Sequence, residues 1–295
     1  MTSFVALSHG GRSSDTARAA PLLTAAVLLV IVFLFLPLAI MFRFSLNKFV
    51  PGQFMVEALV LENYQKFISD EFYRGVLYTT IRVALVSTIL SLIFGFPLAY
   101  MIARARSART KNILILLVVI PLLMGNAVRT AGWMVLLGDR GVVNMLLQMV
   151  SLTTEPIKIL YTETAVLIGI VAVLLPYMII TLYSIIEGID RVYEEAASSL
   201  GARPSEVMRL VIVPMAMPGV YVGSAICFIL AMNAYATPVL IGGPEFHMMG
   251  PKVYEQITKV SNWPFGSALA FVLTAVTAVL TILSSITVQR RYGRM

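Results

Sequence analysis

This sequence has little charge: Asp, Glu, Lys and Arg make up 13% of its residues, against 59% hydrophobic ones. A soluble domain carries about a quarter charged residues. The chain therefore cannot hydrate the surface of a globule of its size, and lipid is its natural solvent. Cysteine is nearly absent. The single Cys227 excludes an intramolecular disulfide and, set in an apolar run, reads as a buried structural thiol. The two histidines, His9 and His247, lie far apart, and no His, Cys or carboxylate has metal-ligand spacing. No G-x-x-x-x-G-K-S/T loop is present to cradle phosphates, and no nucleophile stands beside a base. The chain therefore reads as non-catalytic, binding neither metal nor cofactor of its own. A membrane-embedded enzyme would need clustered His, Asp or Glu at membrane depth, and these are missing. The duplicated halves and midplane ionisable residue usual in secondary transporters are not evident either, which leaves an ATPase-independent secondary transporter as the further alternative.

What is present is six apolar stretches near the roughly 20 residues that cross a hydrocarbon core. They are Pro21–Phe42, Gly75–Ala103, Asn112–Met134, Thr164–Ile186, Met217–Ile241 and Gly266–Val288. Lipid offers no partner to a free backbone amide, so all are expected to be helices, giving an all-α polytopic membrane protein. The first stretch is too long for a signal-peptide core and lacks an A-x-A site behind it, so it reads as a retained first span. Residues 1–20 are polar and predict a mobile tail, 21–289 the membrane domain, and 290–295 a basic end. Pro37, Gly95, Pro97, Pro121, Pro176 and Pro238 interrupt the runs. They fit either simple packing or bent helices that line a path.

The net charge of +7 has no basic cluster on a soluble face, so nucleic acid is not an expected partner. It sorts instead by loop. Arg12 and Arg18 precede the first span, Arg104, Arg106, Arg109 and Lys111 crowd the second connection, and Arg290, Arg291 and Arg294 close the chain. With six spans these fall on one side, the cytoplasm, and both termini lie inside. The opposite loops hold scattered Lys48, Lys66, Arg140, Lys158, Lys252 and Lys259 mixed with acids. There, Gly141–Val150 predicts a surface helix with Val142, Val143, Leu146, Leu147 and Val150 toward one side and Asn144 and Gln148 elsewhere.

The connection 187–216 is the longest on the inner side. Asp190 is a good N-cap. Tyr193, Ala196, Ala197 and Leu200 then recur at i, i+3, i+4 and i+7, one face of a helix. Glu194, Glu195, Ser198 and Ser199 occupy its other faces, and the two acids suit the helix start. Gly201 predicts a left-handed C-terminal stop. Pro204 can open a second helix, on which Val207, Leu210, Val211 and Pro214 form another stripe. Such a pair outside the bilayer needs a protein surface to cover its apolar faces. Its acids suit an anionic headgroup layer poorly.

Glu195-Ala196-Ala197, Gly201, Val211 and Val213-Pro214 resemble the EAA loop of binding-protein-dependent ABC transporter permeases, with Val at two positions where that family has Ile and Leu. Arg129 to Trp133, Leu137-Gly138, Gly141 and Asn144, together with Leu175-Pro176-Tyr177-Met178 and Leu182–Glu187, are similar to the spermidine/putrescine branch. The resemblance covers nearly all of 21–290. It implies a type I importer permease fold in a bacterial inner membrane. It implies a coupling helix that meets an ATPase subunit dimer through Glu194, Glu195, Ala196, Ala197, Gly201 and Arg203, with ATP and magnesium bound on those partners. It also implies a second permease, a paralogue, and a periplasmic solute-binding protein. A polyamine is the implied solute. The same branch serves iron, phosphonate, thiamine and opine-type importers, so an amino-acid-derived solute is the alternative.

Candidates for solute contact are the polar or aromatic residues inside spans: Arg129, Trp133, Tyr177, Asn233 and Tyr235. Each fits either solute contact or plain packing. No span carries a clear mid-depth Asp or Glu, which sits poorly with a cationic solute. Aromatic faces, the second permease or the binding protein would then have to hold the charge.

Overall fold

The computed structural model describes residues 12–53 and 55–292, with side chains over 27–53 and 55–286. Among these residues the chain is helical and contains no β-strand, only an isolated bridge between Lys48 and Val56. In order, the helices are α1 Arg12–Ser45, α2 Glu62–Ser69, α3 Glu71–Ala103, α4 Ala108–Val119, α5 Asn126–Leu137, α6 Val142–Met149, α7 Glu163–Glu187, α8 Val192–Ser199, α9 Pro204–Val207, α10 Val213–Met232, α11 Ala236–Ile241, α12 Met249–Thr258 and α13 Trp263–Tyr292. Of the expected tail, residues 12–20 belong to α1, while 1–11 lie outside the described residues, as do 293–295 of the basic end.

Five rods are long and apolar enough to cross a membrane: Val27–Ser45, Glu71–Ala103, Glu163–Glu187, Pro204–Met232 and Trp263–Ile286. A bent pair, Ala108–Leu123 with Asn126–Met149, has the length and composition of a sixth when its two arms are taken as one broken span. The centre of the bundle is α7, packed between α3 and α10. Small residues let these axes approach, as usual where lipid supplies no hydrophobic drive between helices. A Cβ at Gly95 of α3 would stand 2.9 Å from Met178 Cγ, and one at Gly223 of α10 would stand 2.9 Å from its Sδ. Met178 is fully buried between the two. By contrast, the apolar part of α1 buries nothing and meets the bundle through its last turns, where Phe42 packs edge-on against Phe271 of α13 at 5.4 Å.

Two expected spans differ. The third, expected as one helix over Asn112–Met134, breaks. A 3-10 turn at Ile120–Leu123 is followed by extended Met124 and Gly125, and the axis turns by 101°. Pro121 has no N–H to donate into a continuing ladder, and the two extended residues after it end the helix. The fifth, expected over Met217–Ile241, begins at Pro204 and ends at Met232. The second helix of the 187–216 connection is thus the foot of the span itself. Asn233, Ala234 and Tyr235 leave helical conformation, and α11 is a separate piece.

The stripe expected on that foot is also altered. Residues Met208–Ile212 form a π-helical turn in which the Val213 N–H bonds the Met208 carbonyl five residues back. One extra residue per turn rotates the register. Val207 and Ile212, five apart, are buried, while Leu210 and Pro214 face outward. On α6 the buried residue is Asn144. Its amide nitrogen donates to the Gly138 and Ile157 carbonyls at 3.2 and 3.0 Å, and its oxygen accepts from the Ile157 N–H at 2.8 Å.

Candidate functional site

At one end of the bundle, α8 stands off the span ends as a short exposed helix. Asp190 Oδ1 accepts the Val192 N–H at 3.0 Å and starts it. A Schellman closure ends it: the Gly201 N–H bonds the Ser198 carbonyl and the Ala202 N–H bonds the Ala197 carbonyl. Gly201 has φ +87°, which glycine alone adopts cheaply, and open space where a Cβ would be. Glu206 Oε2 accepts the Arg203 N–H at 2.7 Å and opens α9. Its expected apolar stripe is largely open: Tyr193 and Ala196 are exposed, Ala197 is half-buried, and Leu200, just past the helix end, is 90% exposed.

The two acids of α8 separate. Glu195 is exposed. Glu194 turns inward, where its Oε1 accepts from Arg104 Nε at 2.5 Å and its Oε2 accepts from the Tyr100 hydroxyl at 2.8 Å. Arg104 also donates to the carbonyls of Ile186 and Ile189 at 3.1 and 3.0 Å. One guanidinium therefore gathers the end of α3, the end of α7 and the start of α8. Lys111 adds a second tie, to Glu187 at 2.6 Å. Arg104 and Lys111 drew attention in the sequence only as loop charge. Nothing local marks which acid each one meets, because the partners lie 90 and 76 residues away.

The opposite end holds two cavities. One, of about 370 Å³, is lined by Asn233, Tyr235, Val253, Tyr254, Thr258 and Thr274, among others. It opens where the chain is unwound between α10 and α11. The rings of Tyr235 and Tyr254 lie 4.8 Å apart at 52°. Asn233 spends its amide nitrogen on the Ile229 carbonyl at 2.9 Å. Tyr254 was not singled out in the sequence, since its distance from Tyr235 there hides the pairing.

The other cavity, also about 370 Å³, is lined by Glu71, Phe72, Arg82, Glu163, Glu245 and His247 among others. Arg82 Nη2 pairs with Glu163 Oε2 at 2.6 Å. The carboxylates of Glu71 and Glu245 have no ion pair or hydrogen bond among the described residues. His247 stacks edge-on against Phe72 at 5.2 Å. Burial, then the nearby Lys252 ammonium, lowers its pKa below 6.5, with Glu255 opposing, so it is neutral at pH 7. Three carboxylates against one guanidinium leave the cavity negative.

Of the five residues expected to contact solute, Asn233 and Tyr235 share a cavity. Tyr177 lies on α7, partly exposed. Arg129 and Trp133 lie on α5, beyond the bend of the third span. Trp133 packs against the core. The described residues contain no group of His, Cys, Asp and Glu that could hold a metal ion.

Residues 91–292 match the family of binding-protein-dependent transport system inner membrane components. The spermidine/putrescine transport system permease protein PotB of Salmonella typhimurium strain SL1344 is 30% identical over 254 residues, covering 86% of this chain and 88% of that one. Its counterpart in Haemophilus influenzae is 34% identical over 229 residues, 78% of this chain and 79% of that one. A chain of a bacterial ABC transporter involved in the import of the acidic polysaccharide alginate has the same fold, with a TM-score of 0.73 at 17% identity over 94% of this chain and 98% of that one. The family match over most of the chain and these relatives agree: the chain belongs to the binding-protein-dependent transport system inner membrane components.

Proposed function

We propose that this chain is the permease half of an ATP-driven importer for a polyamine, coupled to separate ATPase subunits through α8. The observation that carries the reading is α8 itself: an apolar face with nothing over it, on a helix clamped by Arg104 to the ends of α3 and α7. A helix that is rigidly tied to the spans and open on its far side passes motion from a bound partner into the bundle. Glu195, Ala196, Ala197, Gly201 and Arg203 form its partner-facing contact, while Glu194 transmits from behind. The chain itself is non-catalytic and holds no cofactor. ATP and magnesium belong to the ATPase dimer, whose closure drives the switch between inward- and outward-facing states.

The loop charges orient α8, and with it both termini, toward the cytoplasm. The two cavities then face the periplasm, where a solute-binding protein delivers. A second, paralogous permease completes the path. Its model is the PotC-type relative in Escherichia coli, 34% identical over 112 residues, 38% of this chain and 42% of that one. The solute class follows the PotB-type relatives and the chemistry of the outer end. The negative cavity around Glu71 and Glu245 attracts an ammonium chain, and the Tyr235–Tyr254 pair offers it ring faces without a carboxylate. This answers the lack of acids within the spans.

The test is reconstitution in liposomes with the ATPase, the second permease and the binding protein. Spermidine or putrescine with loaded binding protein raises ATP hydrolysis several-fold. Stimulation by an amino-acid-derived solute and not by either polyamine overturns the solute. ATPase that fails to associate in any mild detergent overturns the importer.

A further inference from the structure

We infer that α11 is a strut that holds the two outer cavities in one fixed relation, and that Gly169 of α7 is the positioning residue that seats it. The cavities meet the chain on either side of this helix. Asn233 and Tyr235, just before α11, line one of them. Glu245, Phe246 and His247, a few residues after it, line the other. The six residues Ala236–Ile241 join the two. Gly169 itself lines neither cavity.

The strut is gripped along its length. Thr237, Pro238 and Ile241 are buried, and α11 packs against both α5 and α7. On the α5 side the Thr130 and Thr237 hydroxyls lie 3.4 Å apart. At the far end the Tyr161 N–H donates to the Ile241 carbonyl at 3.1 Å, which ties α11 to the start of α7, where Glu163 enters the acid cavity. On the α7 side the closest approach is at Gly169, which is buried. A Cβ there would stand 2.6 Å from Ile241 Cδ1 and 2.7 Å from Thr237 Cγ2. No side chain fits at that position while α11 keeps its place. A short helix held on two sides shifts as a body, and any shift moves the walls of both cavities together. A cation drawn in by Glu71 and Glu245 therefore meets a tyrosine pair whose position is already set. The inference rests on the proposed function for the identity of that cation.

Gly169→Ala unseats the strut, and Thr237→Ser with Ile241→Val relieves it, because these two changes delete the methyl groups that the added Cβ would meet. The full importer is reconstituted with its binding protein. KM and maximal rate of spermidine uptake are measured beside thermal melts. Gly169→Ala is expected to lower the melting temperature and to raise KM about threefold to tenfold, the worth of one displaced cation–ring contact. The Thr237→Ser, Ile241→Val pair leaves a gap at the seat and raises KM by a smaller factor. All three changes together return KM to within about twofold of wild type, a non-additivity that marks residues acting on one another. A lowered melting temperature with KM unchanged would make Gly169 a packing residue only and overturn the inference. So would a triple variant that regains stability without regaining KM. If Gly169→Ala does not assemble, the Thr237→Ser, Ile241→Val pair decides, and an unchanged KM there overturns the inference. A wild-type importer that no polyamine stimulates refutes the proposed solute and the inference with it. A stimulated wild type with an indifferent Gly169→Ala refutes the inference alone.

Discussion

Arg104 and Glu194 meet at 2.5 Å across 90 residues of chain, with side chains only 13% and 18% exposed. The pair ties α8 to α3, and through the Ile186 and Ile189 carbonyls to α7. Removing one member leaves the other's charge poorly solvated. Arg104→Ala is expected to cost about 2–3 kcal/mol, below the range for fully buried pairs because some water reaches this one. Arg104→Lys recovers little, since a point charge cannot reach a carboxylate and two carbonyls at once. Thermal melts of the two single variants and the double variant give the coupling. Additive losses would show that the pair does not hold α8. Solute-stimulated ATP hydrolysis should fall further than stability does, because α8 is then no longer steered.

Gly201 separates backbone strain from surface contact. Its φ of +87° disfavours any Cβ, yet nothing lies within 4 Å of where one would be. Gly201→Ala therefore costs about 1 kcal/mol, and Gly201→Asn less, because asparagine tolerates the left-handed region. A bulky residue adds no clash within the chain but protrudes beside Leu200 into the proposed ATPase contact. Membrane levels should stay normal while uptake is lost. Uptake at the wild-type rate in Gly201→Trp would remove α8 from the coupling path.

Met178 lies between Gly95 and Gly223, each of which would bring a Cβ to 2.9 Å from it. Gly95→Ala and Gly223→Ala each force that side chain aside at about 1–3 kcal/mol. Because they press on one residue, their costs should not add. Shortening it in Met178→Ala should relieve part of either loss. Melting temperatures of the glycine variants with and without Met178→Ala check this. No relief would mean that the helices move apart instead.

The sequence was most legible where a local rule acts alone. Apolar length set the rods, and Gly201 announced its turn because the left-handed conformation is a property of one residue. It was less legible where a neighbour decides. The Val207, Leu210, Val211 stripe presumed 3.6 residues per turn, and the π turn at Met208–Ile212 exchanged Leu210 for Ile212 on the buried side. Pro121 was recognised as an interruption, but a proline does not state the size of its bend; extended Met124 and Gly125 do. Glu194 and Glu195 look alike in sequence, and only the arrival of Arg104 from α3 distinguishes them. The cavity acids Glu71 and Glu245 lie outside the apolar runs, so a search within spans passed them by.

His247 predicts a pH dependence. Its pKa is lowered in the fold by burial and by Lys252, so the unfolded chain binds more protons than the folded one between the folded value and 6.5. Stability is then complete above pH 6.5 and falls as the pH drops through 6.5 toward the folded value. His247→Gln should flatten that part of the curve. Melts from pH 8 to pH 5 compare the two. A variant as acid-sensitive as wild type would assign the loss to other groups.

Tyr235 and Tyr254 provide the sharpest test of solute passage. If an ammonium rests on their faces, the rings matter more than the hydroxyls. Tyr235→Phe should leave transport within about twofold, and Tyr254→Phe likewise. Replacement by leucine removes the ring quadrupole while keeping apolar bulk. At about 0.5–2 kcal/mol per cation–ring contact, KM for a polyamine should rise from about twofold to about thirtyfold. Binding-protein affinity, measured separately, should not change. Loss in the phenylalanine variants equal to that in the leucine variants would shift the role to the hydroxyls, and with it the solute from a bare cation to a hydrogen-bonding one.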